Sequence, residues 1–308
     1  MSKRSLLAAL CFVGILIVAG TAGNGYLRKE LPYEFDIVPV EGGIGITNTT
    51  TWNERDLLVS WRREGPDAET SMVMNHSLNQ CVVGGLEDNQ TYTIRIRRMD
   101  LPGRFIYKAF QTEIVTQEPA PTYVLLVGAS VGKAWDLPSL PKRLKADGLV
   151  FGYRGKYGYD KTDVIDRIVK SQIRPDIVII KECAAYFPKE RGKIIERLPG
   201  WVEMLKAEGI TPVVATCCPV TKENDRANPG KQAAIDEFNS FVRTLGVENH
   251  VEILDLAGTL SISETNSYLR ESFAQPDGLH LNQSAYSALD HVLMDISVAW
   301  PRRQEARE

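Results

Sequence analysis

Histidine is scarce in this 308-residue chain. His76, His250, His280 and His291 are the only four, so imidazole chemistry has few places to reside. Cysteine is nearly as rare. Cys11 sits in an apolar N-terminal run, while Cys81, Cys183, Cys217 and Cys218 are too scattered for a disulfide framework and lack zinc-site spacing. They read best as small buried hydrophobes, with one bridge between Cys183 and Cys217 left open. An excess of one charge is missing too: 36 Lys and Arg against 39 Asp and Glu leave a net charge of −3. That balance gives no reason to expect a nucleic-acid partner. Hydrophobic residues at 44% and charged residues at 24% exclude disorder and describe folded, globular protein.

Long apolar runs are limited to one, Leu6 to Ala19, behind Lys3 and Arg4 and ahead of Gly20-Thr21-Ala22. This is the layout of a secretory signal, and the run falls just short of the ~20 residues that a spanning helix prefers. Residues 1–23 are therefore expected to be a signal peptide or an N-terminal anchor. The rest of the chain is expected outside the cytoplasm, secreted or periplasmic, touching membrane only through that segment.

From Leu31 to about residue 117 the pattern is short and alternating. DLLVSWRR (56–63), QCVVGGL (80–86) and TYTIRIRR (91–98) place apolar residues two apart, with turn signals between them. Several such strands predict a β-sandwich. The region resembles a fibronectin type III module. Trp61 stands where the family's early core tryptophan would be, and GLEDNQTYTIRIR matches its Gly-Leu…Thr-x-Tyr passage, which makes Tyr92 the corner tyrosine. Such modules position or bind, so this one identifies no activity.

QEPAPT (117–122) is a proline-rich break, and the period changes after it. YVLLVG (123–128), GLVFGY (148–153), PDIVIIK (175–181), ITPVVATC (210–217) and VEILDL (251–256) are continuous apolar runs. Amphipathic stretches near 138–146, 160–172, 192–208, 230–246 and 283–298 alternate with them. Unbroken hydrophobic strands are buried on both faces, the mark of a parallel sheet covered by helices. Residues 118–300 are thus predicted to form a five-stranded, doubly wound α/β domain of flavodoxin-like type. Its ligands should bind at the carboxyl ends of the strands.

Two loops at that edge carry chemistry. GASVGKAW puts Ser130 two residues past the first strand, where a tight turn would expose its hydroxyl; the bland alternative is a helix-capping serine. DGLHLN (277–282) puts a carboxylate and an imidazole three residues apart before the last helix, where Asp277 could equally be a helix cap. Serine is a poor nucleophile unless a base takes its proton and a carboxylate orients that base. Ser130, His280 and Asp277 supply all three.

These blocks resemble the SGNH (GDSL-type) hydrolase family over residues 123–300. GAS (128–130) stands at its Gly-Asp-Ser block, with Ala129 replacing Asp, and DGLHLNQSAYSAL follows its last block, including Tyr286. The resemblance implies Ser130 as nucleophile, His280 as base and Asp277 as its partner. For the oxyanion it implies the Ser130 backbone N–H, a glycine after the second strand and an asparagine after the third. Gly155 is the first choice of glycine, with Gly152 and Gly158 competing. The asparagine is missing: the third loop reads KECAAYFPKE, with Ala185 nearest its place and Lys181 or Tyr186 as substitute donors. The Lys181-Glu182 pair is expected at the rim or in the cleft. Arg154, Lys156, Tyr157 and Tyr159 are candidates for a sugar or anion pocket. The expected activity is an exported esterase working through an acyl-serine on short acyl esters, acetyl for example, of a polysaccharide or glycoconjugate. No metal or organic cofactor is expected. An O-acyltransferase of the same fold, or a non-catalytic cell-surface protein that binds polymer, are the alternatives.

Overall fold

The computed structural model describes residues 35–40, 43–48, 56–63, 70–74, 80–84, 86, 90–98, 106–114 and 121–300, apart from 145, 147 and 172. The expected signal or anchor, His76 and most of the QEPAPT break lie outside the described residues. The chain divides into two compact units, Met1–Ala120 and Pro121–Glu308.

In the first unit the strands are β1 (Phe35–Val40), β2 (Gly43–Asn48), β3 (Leu57–Arg63), β4 (Thr70–Met74), β5 (Gln80–Gly84), β6 (Gln90–Arg98) and β7 (Ile106–Ile114). They form two sheets, β1-β2-β5 and β4-β3-β6-β7, in which every pairing is antiparallel. Alternation builds the core. Leu57 and Val59 of β3 and Tyr92, Ile94 and Ile96 of β6 point inward, and they share one apolar cluster with Ile44, Ile46, Cys81 and Val83 of the other sheet. Trp61 departs from the expectation of a core tryptophan: it is half-buried and packs against the cluster from its margin.

The second unit runs β8 (Thr122–Gly128), α1 (Ser130–Trp135), α2 (Leu140–Leu144), β9 (Leu149–Gly155), α3 (Thr162–Val169), β10 (Ile177–Lys181), α4 (Arg191–Ala207) and β11 (Thr211–Ala215). It continues with α5 (Lys222–Ala227), α6 (Lys231–Asn249), β12 (Glu252–Leu254), α7 (Leu256–Leu260), a hairpin of β13 (Ser261–Ser263) and β14 (Asn266–Leu269), and α8 (Gln283–Ser297). The sheet order is β12-β11-β10-β8-β9, all parallel. Read from β9 this is the 2-1-3-4-5 order of a flavodoxin-like sheet, whose switch point lies between β8 and β10. Every residue of β8 and β10 is buried, as their unbroken apolar runs require. Helix α5 and the hairpin were not foreseen. The α5 sequence KENDRA buries no residue, so it has no apolar period to betray it; its start is held by the Thr221 side chain, which accepts from the Asn224 N–H at 3.3 Å.

One polar anchor fastens the last helix to the first. Asp290 of α8, 4% exposed, accepts from Trp135 Nε1 at 2.7 Å and from Arg143 Nε and Nη2, each at 2.9 Å. Removing one partner of a buried charged pair strands the other. Asp290→Ala should lower stability by about 3 kcal/mol in the urea transition of the α/β unit, the low end of the range because Arg143 keeps some solvent. A loss under about 1 kcal/mol would mark the anchor as no more than a surface pair.

Candidate active site

Chain direction places Ser130 at the carboxyl end of β8, beside the switch point. Gly128 ends the strand, Ala129 is the residue before the helix, and Ser130 is the first residue of α1. Ser130 is therefore not the cap of that helix, and its hydroxyl is directed elsewhere. Tyr153 of β9 fixes the turn from below by donating to the Gly128 carbonyl at 3.1 Å and the Ala129 carbonyl at 2.9 Å. Gly132 leaves room for it: a Cβ there would meet Tyr153 Cε2 at 3.2 Å and Leu126 Cδ2 at 3.1 Å.

The structure brings Ser130, His280 and Asp277 together. Ser130 Oγ lies 3.0 Å from His280 Nε2, and His280 Nδ1 lies 2.5 Å from Asp277 Oδ2. Asp277 does not cap α8, because Asn282 does, accepting from the Ala285 N–H. Instead the other oxygen of Asp277 accepts the Leu279 and His280 backbone N–H groups at 3.0 and 2.9 Å. Carboxylate and ring are thus locked to each other within four residues. Gly278 makes the turn possible. It sits at φ +67, and a Cβ there would meet Thr221 Oγ1 at 2.2 Å. The end of the loop after β11 and the first turn of α5 hold the turn from outside: the Thr221 N–H donates to the Gly278 carbonyl at 2.9 Å, and Asn224 Nδ2 donates to the Asp277 carbonyl at 2.8 Å.

The third loop corrects the sequence reading. Lys181 and Glu182 are not a rim pair, since they are 2% and 1% exposed. Glu182 pairs with Lys161, itself 1% exposed, at 2.5 Å. Burial pushes the Glu182 carboxyl above its ordinary range, and the Lys161 ammonium pulls against that. The Lys181 amine donates to the Glu182 carbonyl at 3.0 Å and lies near the thiols of Cys218, Cys183 and Cys217. The Lys181 amine is thus buried and already donates to the Glu182 carbonyl, which weighs against its standing in for the missing asparagine. Cys81, Cys183, Cys217 and Cys218 are all buried free thiols, which closes the Cys183–Cys217 bridge left open above. Burial holds the Cys217 and Cys218 thiols above their usual range.

The three glycines after β8 also separate. Gly152 lies inside β9, against the Tyr123 ring. Gly155 ends β9 opposite Gly128, and the Lys156 N–H donates to the Gly128 carbonyl at 2.8 Å. Gly158, at φ +95, donates its N–H to the Tyr186 hydroxyl at 2.6 Å. Of the side chains considered for a sugar or anion pocket, Lys156 is paired with Asp163 at 2.6 Å and Tyr159 lies under the Lys193 amine at 5.0 Å. Tyr157 is 63% exposed. No group of three or more His, Cys, Asp or Glu among the described residues is arranged to hold a metal ion.

No family model matches the sequence, and no curated protein matches it. Solved structures to which the chain is similar include a GDSL-like lipase from Bacteroides thetaiotaomicron, at 17% identity and a TM-score of 0.47 over 57% of this chain and 87% of that one. A lipase/acylhydrolase from Enterococcus faecalis matches at 20% identity and a TM-score of 0.47 over 59% of this chain and 98% of that one. A carbohydrate acetylesterase from Sinorhizobium meliloti matches at 15% identity and a TM-score of 0.44 over 57% and 98%.

The Asp277 charge is opposed by partial burial, but bonds from the His280 ring and from the His280 and Leu279 N–H groups outweigh it. They hold the carboxyl down at about 2, against an ordinary 3.8. A depressed folded-state value stabilises the protein above the unfolded value and ceases to do so as pH falls toward the folded one. The contribution of Asp277 should therefore be complete above about pH 4 and gone near pH 2, reduced in size by the carboxylate's contact with solvent. Acid titration of stability should fall less steeply across that window in Asp277→Asn than in the wild type. Parallel curves would mean that the bonds to Asp277 do not survive in solution.

Proposed function

We propose that this protein is a serine hydrolase of SGNH (GDSL) type that cleaves acyl esters through an acyl-serine intermediate. The observation that carries the reading is the unbroken relay Asp277–His280–Ser130, with contacts of 2.5 and 3.0 Å, at the switch-point edge of a parallel sheet. In the proposed reaction Ser130 Oγ attacks the acyl carbonyl as His280 Nε2 takes its proton. Asp277 keeps the ring oriented and offsets the charge it gains. Collapse of the tetrahedral adduct breaks the ester C–O bond, and His280 returns the proton to the leaving alcohol. Water, deprotonated by the same nitrogen, then releases the acid. No step draws on a metal or an organic cofactor.

A short acyl group on a carbohydrate is the substrate class we favour. Among the described residues Tyr157 is the one exposed large hydrophobic side chain on the loops that follow β8, β9, β10 and β11. A single exposed ring can stack on a sugar face but offers a long alkyl chain little apolar surface to bury. The sheet orders β1-β2-β5 and β4-β3-β6-β7 support a fibronectin type III reading of the first unit, a module suited to hold the hydrolase at a polymer. The leader-like residues 1–23 support export. Transfer of the acyl group to a sugar hydroxyl would use the same acyl-serine, and the two outcomes differ only in what resolves it.

Fluorophosphonate labelling with p-nitrophenyl acetate turnover tests the reading. The wild type should be labelled and should release acetate in buffer alone, and Ser130→Ala should lose the label and at least about 10³-fold of turnover. Labelling that persists in Ser130→Ala, or a wild type that never labels, would sink the hydrolase. Turnover that needs an added sugar acceptor would make it a transferase. A palmitoyl ester preferred to an acetyl ester would overturn the substrate class.

A further inference from the structure

Attack by Ser130 puts a negative charge on the former carbonyl oxygen, and enzymes stabilise that charge with fixed hydrogen-bond donors. Resting on the hydrolase reading above, we infer that the Tyr186 hydroxyl is the side-chain donor to this oxyanion, with the Gly158 backbone N–H polarising it from behind.

The first ground is topological. β9 and β10 are the two neighbours of β8 in the sheet. Gly158 belongs to the loop that leaves β9, and Tyr186 to the 3-10 turn Ala184–Tyr186 that follows β10. The strands these loops leave flank β8, whose carboxyl end turns through Gly128 and Ala129 into Ser130, and a hydrogen bond of 2.6 Å joins the two loops. The phenol therefore belongs to the same sheet edge as the nucleophile.

The second ground is rigidity, since a donor helps only if it need not be reorganised during reaction. The Lys156 N–H binds the β9 loop to the Gly128 carbonyl at 2.8 Å. The Tyr186 N–H donates to the Cys183 carbonyl at 3.1 Å, and the Glu190 N–H donates to the Tyr186 carbonyl at 2.8 Å. Beneath them the buried Lys161–Glu182 pair ties the same two loops together a second time. Neither Lys161 nor Glu182 is needed to touch substrate for this effect; they hold the floor on which Tyr186 stands.

The third ground is the direction of the proton. Tyr186 accepts from Gly158, so its oxygen lone pair is engaged while its O–H remains to donate. Accepting an N–H polarises a hydroxyl and strengthens it as a donor. Burial raises the phenol above its ordinary range, against the bond from Gly158, so the proton stays on the oxygen at neutral pH. Of the competing groups, Ala185 has no side-chain donor, and the buried Lys181 amine already donates to the Glu182 carbonyl.

Tyr186→Phe removes the hydroxyl and keeps the ring. Against p-nitrophenyl acetate it should lower kcat by about 10²–10³-fold with KM changed by less than about threefold. Fluorotyrosine at position 186 preserves the fold and acidifies the phenol, so the alkaline limb of kcat should move to lower pH. Unchanged kcat in Tyr186→Phe, or an alkaline limb that ignores the fluorine, would overturn this assignment while leaving a labelled, active wild type as a hydrolase. A wild type that neither labels nor turns over would fail earlier, at the hydrolase reading itself.

Discussion

The position of β8 between β9 and β10 governs the chemistry of the second unit. A parallel sheet sends all its carboxyl ends to one edge, and the reversal of winding at β8 leaves a gap there that no crossover helix fills. The serine turn rises into that gap from below. The loops of β9 and β10 reach it from either side, and the loop after β11 approaches from further along, carrying the Asp277–His280 turn on Thr221 and Asn224. Each group is short and locally braced. Their meeting is a property of strand order, since Ser130 and His280 are 150 residues apart in the chain.

Much of this was readable from the residues. Unbroken, β-branched-rich runs such as YVLLV and DIVII are too short for buried helices and read as strands buried on both faces, and five of them separated by helical stretches leave little choice of architecture. The alternation in LLVSWRR and TYTIRIRR announced the antiparallel sheets with equal clarity. Ser130 and the Asp277–His280 pair stood out because hydroxyl, imidazole and carboxylate fell at the same edge once strands were counted.

What escaped was decided by partners far away in sequence. A lysine at a strand end is ordinarily an exposed residue. Nothing in DIVIIKEC tells that β10 keeps Lys181 inside the core or that Glu182 finds its counter-ion in Lys161, 21 residues earlier. Such a pair costs desolvation that its attraction only roughly repays, so it contributes position more than stability. Gly158 carried a faint signal, standing in a loop dense with glycine and tyrosine. Its bond to Tyr186 needed the two loops to be seen together. Helix α5 and the hairpin of β13 and β14 escaped for a plainer reason, because short polar elements have no period to count.

The Asp277 turn closes on itself. Its carboxylate holds the ring and two backbone N–H groups of the next three residues, so the imidazole and its carboxylate travel as one body. Warming that loosens the outer braces at Thr221 and Asn224 would lengthen the 3.0 Å contact from His280 to Ser130 before it breaks the bonds within the turn. Heat inactivation should then begin as a loss of reach while the sheet is still intact, and it should reverse on cooling for as long as the α/β unit stays folded.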